Sequence, residues 1–131
     1  MCTLLTQNIC LMCHTQELEL GGNQIGDAGL TALAKAVESG ALPKLESLFL
    51  AFNSIGDVGV TALATAVGSG ALASLEVLFL ENNQIRDAGL SALAEAVGKG
   101  ALPKCTNIFT FDNPASDEAK QAVEDAIASS Q

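Results

Sequence analysis

Cys10-Leu11-Met12-Cys13-His14 is the stretch of this chain whose residue types and spacing come nearest to a chemical site. Two thiols two residues apart, followed by an imidazole, are what covalent haem attachment needs: the thiols take the vinyl groups and the ring takes the iron. Zinc would accept the same side chains with Cys105 as a fourth ligand. The context favours neither. Met1-Cys2-Thr3-Leu4-Leu5 has no basic n-region and no small-residue cleavage site, so no export signal is expected. Cys105 stands far along the chain at a core position, where a small buried hydrophobe is the ordinary role of a cysteine. No role for Cys10 or Cys13 follows from the residues alone.

Nucleophilic catalysis fares no better. His14 is the single histidine, and a base has to be held against a nucleophile inside a pocket. No Ser–His–Asp or Cys–His set with a third member can be drawn. Gly21-Gly22 lacks the Lys-Ser/Thr that a phosphate loop requires. Arg86 invites comparison with the finger of a nucleotide hydrolase, but a lone surface charge is ordinarily a solvated one. The chain reads as non-enzymatic, with no cofactor and no metal.

Composition narrows the rest. A length of 131 residues fits one domain. Fifteen acidic residues against six basic ones give a net charge of −9, the opposite of a nucleic-acid footprint. An apolar content of 49% rules out a disordered acidic tail. There is no uninterrupted run of about 18 apolar residues, so no membrane insertion is expected. Four cysteines are too few for a disulfide scaffold and suit a reduced compartment, the cytoplasm or another intracellular one.

The elements that would position any site come from an internal repeat. At an offset of 30, residues 45–74 match residues 75–104 at 18 positions without a gap, and residues 15–44 match 75–104 at 19. Each unit opens on a short strand-forming run, Leu18 to Leu20, Leu48-Phe49-Leu50 and Leu78-Phe79-Leu80. A helical stretch follows, with Leu30, Leu33, Ala34 and Val37 on one face, then Val60, Leu63, Ala64 and Val67, then Leu90, Leu93, Ala94 and Val97. Asp27, Asp57 and Asp87 stand where an N-cap is wanted. Gly40, Gly70 and Gly100 suit a left-handed exit. One strand–helix unit cannot bury its own apolar face, so the units must stack, strands beside strands and helices beside helices.

The pattern Leu45-x-x-Leu48-x-Leu50-x-x-Asn53-x-Ile55, followed by Gly56-Asp57-x-Gly59 and an Ala-rich helix, resembles the ribonuclease-inhibitor-like leucine-rich repeat family. The likeness covers roughly residues 15 to 125. It implies an α/β leucine-rich-repeat solenoid, a short curved horseshoe with parallel strands on the concave face and helices on the convex one. It also implies a ladder in which Asn23, Asn53, Asn83 and Asn113 bond the backbone of adjacent turns. Interior Asn53 and Asn83 are expected to matter more than terminal Asn113. Members of that family are overwhelmingly protein-binding scaffolds, and some regulate GTPases or nucleases; the resemblance names no ligand.

Three segments follow: a lead-in over 1–14, three 30-residue repeats over 15–104, and a degenerate capping repeat over 105–131. In the last unit Lys120, Glu124, Thr110 and Ala115 replace Leu90, Ala94, Leu80 and Ile85, a polar finish that expects no further turn. Ser116 can cap the final helix. Residues 1–14 match no part of the repeat; folding over the open first turn, a truncated array and cover by another protein all remain open.

Strand alternation sends Phe49, Phe79 and Phe109 to the concave face, with Glu19 in the same place in the first unit. Ser47, Val77 and Asn107 flank them on one side, Glu81 and Phe111 on the other. Aromatic residues favour strands anyway, so the bland reading is a stack of half-buried rings. The functional reading is an apolar stripe with an acidic rim of Glu19, Glu81 and Asp112, fitted to a protein whose apolar ridge is flanked by Lys or Arg. The rival reading is a stable subunit or linker of a larger assembly, contacting partners by its ends and flanks.

Overall fold

The computed structural model describes residues 15–130. The expectations placed on residues 1–14, including Cys10, Cys13 and His14, lie outside them. Four strand–helix units follow in order: β1 (Glu17–Glu19), α1 (Gly26–Glu38), β2 (Ser47–Phe49), α2 (Asp57–Gly68), β3 (Val77–Phe79), α3 (Asp87–Gly98), β4 (Asn107–Phe109) and α4 (Asp117–Ser130). The strands form one parallel sheet in sequence order. The 30-residue period is also the register, pairing Leu18 with Leu48, Leu48 with Leu78, and Leu78 with Ile108. Strands sit about 4.8 Å apart while packed helices need about 8–10 Å. The stack therefore bends, with the sheet on its concave side.

Between sheet and helices lies a continuous apolar core. Leu48, Leu50, Leu78 and Leu80 are fully buried from the strands, as are Val60, Leu63, Leu90 and Leu93 from the helices. In the last unit Val123 and Ile127 hold the buried places of Leu93 and Val97, while Lys120, in the place of Leu90, is half-buried and Glu124 exposed. Cys105 occupies the core position of Leu45 and Leu75 and is fully buried. Gly40, Gly70 and Gly100 take the left-handed exit, at φ +93, +87 and +86, and donate to the carbonyls of Val37, Val67 and Val97.

The three aspartates correct the expectation drawn from the sequence. They do not cap their own helices. Asp27 Oδ1 accepts from the N–H groups of Gly56 (2.7 Å) and Gly59 (2.9 Å), at the start of the next helix. Asp57 Oδ1 does the same for Arg86 (2.7 Å) and Gly89 (3.1 Å). The reason is geometric: stacking brings each carboxylate onto the free amides of the neighbouring turn, which carry the positive end of that helix. A Cβ at Gly59 or Gly89 would stand 2.8 or 2.7 Å from the bonded Oδ1, so the glycine admits the clamp. The fourth unit holds Ala119 there. Asp87 bonds the N–H (2.6 Å) and hydroxyl (3.1 Å) of Ser116, and the Ser116 hydroxyl in turn accepts from the N–H of Ala119 (3.2 Å). Asp57→Ala should therefore cost about 1–2 kcal/mol, the range of a lost helix cap, read as a shift in urea midpoint. A neutral result would show that water replaces the clamp.

Candidate functional site

On the concave face, side chains stand in rows set by the strand period and in columns set by the 30-residue register. The first row is Glu17, Ser47, Val77 and Asn107; the second is Glu19, Phe49, Phe79 and Phe109. A third continues the pairing just past the strands, because Gly22 N–H donates to Ala51 O, Phe52 N–H to Glu81 O, and Asn82 N–H to Phe111 O. It comprises Gly21, Ala51, Glu81 and Phe111. The sheet thus turns from acidic at its first strand to aromatic at its last.

The second row is a ring stack. Phe49 and Phe79 lie with centroids 4.4 Å apart and planes 8° from parallel, Phe79 and Phe109 4.9 Å apart and 18° from parallel. Phe111 leans on Phe109 at 5.7 Å and 53°. The spacing of the strands dictates these distances. Each stacked ring is half-buried, covered at its sides by its neighbours and open towards the concave space. Phe111 is 56% exposed. Of the other residues assigned to this face, Ser47, Val77 and Glu81 are half-buried, and Glu19 and Asn107 are exposed.

Glu81 carries a feature that no sequence signal marks. Its Oε1 is shut off from solvent and accepts no hydrogen bond, the one buried side-chain polar atom in that condition among the described residues. Phe52 is a second. It stands at φ +59, where the other units hold Gly22, Asn82 and Asp112, residue types that tolerate the left-handed region. Its ring is 62% exposed, so burial does not offset the strain.

The asparagines lie behind this face and act in one direction. Asn53 Oδ1 accepts from Asn23 N–H (2.9 Å) and Ile25 N–H (3.2 Å), while its Nδ2 donates to Leu20 O (2.8 Å). Asn83 serves Asn53, Ile55 and Leu50 in the same way. Asn113 makes all but one of the matching bonds: it accepts from Ile85 N–H (3.1 Å) and donates to Leu80 O (2.8 Å) and Thr110 O (2.9 Å). Asn23 differs. It is exposed, and its side-chain amide donates to Gly21 O alone (3.2 Å). Each amide satisfies the turn before it, so Asn23, with no turn before it to serve, has the smallest part in the ladder, and Asn113 keeps a substantial one.

Cys105 offers no reactivity. Burial pushes its thiol up to about 11, against a smaller lowering by hydrogen bonding with the Asn107 backbone. The thiolate is the nucleophile, so iodoacetamide at pH 8 should label the Cys105 peptide only as fast as the chain opens. Digestion and mass spectrometry read this at the single residue; rapid labelling in the folded chain would contradict the burial. Since the raised pKa keeps the native thiol neutral, Cys105 leaves stability unchanged below about pH 9 and lowers it as pH rises from there towards 11.

A profile described as leucine-rich repeat matches residues 12–34, 41–64 and 71–94. No curated protein sequence matches the chain. Among solved structures, the chain is similar to leiomodin-1 actin-binding site 2, with a TM-score of 0.73 at 16% identity. The alignment covers 89% of this chain and 66% of that one, and it shows a shared fold.

Proposed function

The chain belongs to the leucine-rich repeat family, and we propose on that premise that it is a non-catalytic protein–protein interaction module whose concave face binds a partner. Within the family we assign it to the ribonuclease-inhibitor-like class, on the α-helix that each unit carries after its strand. The observation that carries the binding reading is the stack of Phe49, Phe79 and Phe109, open to solvent and bordered by acidic residues. Aromatic rings set in an apolar patch with a charged rim are typical interface anchors. The partner accordingly presents an apolar ridge flanked by Lys or Arg. The structure it resembles is named for an actin-binding site; at 16% identity that likeness hands over no partner.

One observation favours the rival reading, a structural subunit held by its ends. Beside β4 and α4 lies a recess of about 560 Å³ lined by Ile108, Phe109, Phe111, Glu124 and Ile127. Photo-crosslinking separates the two readings. Benzoylphenylalanine placed at 79, at 128 beside the recess, and at exposed Val58 on the helical side is irradiated in source-cell extract, and the adducts are identified by mass spectrometry. A protein captured from 79 and from neither other site supports concave binding. Capture from 128 alone supports the end contact, and equal capture from all three sinks both.

A further inference from the structure

We propose that the concave face seats an arginine side chain of its partner on Glu81, an assignment that rests on the concave-face reading above. A carboxylate oxygen withdrawn from water with no donor is unfavourable in the free protein. Glu81 Oε1 is in that state. Nothing in the repeat requires it, because the equivalent positions hold Gly21, Ala51 and Phe111.

No internal cation answers it. All six basic residues lie off the sheet: Lys35 and Lys120 on helices, and Lys44, Arg86, Lys99 and Lys104 in the connections. Lys99 already pairs with Glu95 at 3.5 Å. The concave face itself carries Glu17, Glu19 and Glu81 and no positive charge, so its field attracts a cation from outside.

The surroundings choose between the two basic side chains. Glu81 stands beside Phe111 across the sheet and next after Phe79 along its own column, so the carboxylate borders aromatic rings. A guanidinium is planar, donates through several N–H groups and stacks on aromatic faces. Once the half-buried Glu81 side chain turns Oε1 out to the open face, a guanidinium can bond the carboxylate and lie against a ring at once. An ammonium supplies the charge without the stacking.

The test uses the full chain and two synthetic peptides, acetyl-Leu-Arg-Leu-Arg-Leu-amide and the same sequence with citrulline, the neutral isostere, for arginine. Binding is followed by NMR in low salt. The expected result is an affinity for the arginine peptide about tenfold above that for the citrulline peptide, with shifts centred on Glu81, Phe79 and Phe111. E81Q should abolish that preference while its melting temperature stays level or rises; E38Q, on the exposed end of α1, should keep the preference. Equal affinity for both peptides, or a preference that survives E81Q, overturns the assignment but leaves concave binding standing if the shifts still map to the phenylalanine row. Shifts confined to the helices, or no binding of either peptide at millimolar concentration, overturn it together with the peptide-binding form of that reading. A fall of several degrees in the melting temperature of E81Q makes Glu81 a structural residue and also overturns it.

Discussion

Asn83→Ala should cost about 4 kcal/mol of stability, a large share of the 5–15 kcal/mol that holds a small domain together. The side chain accepts from Asn53 N–H (2.8 Å) and Ile55 N–H (3.1 Å), and donates to Leu50 O and Leu80 O, each at 3.0 Å. Asn53 and Ile55 are fully buried, so water does not reach the amides that the truncation strands. Each unsatisfied group costs about 1–3 kcal/mol, and the total falls short of their sum because the loop relaxes. Asn113→Ala should approach that loss, about 3 kcal/mol, since it serves Ile85 and Leu80 in the same manner. Asn23→Ala should stay within about 0.5 kcal/mol. Urea melts of the three variants test the direction of the ladder. An Asn113→Ala as mild as Asn23→Ala would refute it.

This ordering also shows where sequence reasoning stops. The 30-residue period alone places every strand and helix, because a gapless repeat and the burial of one face per element leave a single way to stack. The outward row of Phe49, Phe79 and Phe109 is equally legible, since strand alternation fixes which side chains leave the core. What the chain hides is contact between units. Asp57 reads locally as the cap of the helix that it opens, yet its bonds run to Arg86 and Gly89, 29 and 32 residues on. The signal is present in the spacing, as an Asp-x-Gly that recurs at 27–29, 57–59 and 87–89, with the fourth unit departing at Ala119. The left-handed backbone at Phe52 has no such signal, because its residue type argues against it.

Phe79→Ala should weaken partner binding by about 2 kcal/mol or more, roughly thirtyfold, since it removes the central ring of the exposed row. It should also cost about 1–2 kcal/mol of stability, because Phe79 alone stacks on both sides, at 4.4 and 4.9 Å, and an aromatic pair contributes about 0.5–1.5 kcal/mol beyond its burial. The two losses are separable. Phe49 sits at the end of the stack with one ring neighbour, so Phe49→Ala disturbs packing less while still opening the face. Titration with the protein captured at position 79, under conditions where each variant is fully folded, isolates the binding term. If Phe79→Ala lowers the melting temperature and leaves the affinity of the folded fraction unchanged, the row is packing between strands and the partner docks elsewhere. If both variants lose affinity in excess of their loss of stability, the rings are the contact. The stack then serves two purposes at once: each ring steadies its neighbours in the free protein and so presents a surface already ordered for the partner, sparing part of the entropy that binding would otherwise cost.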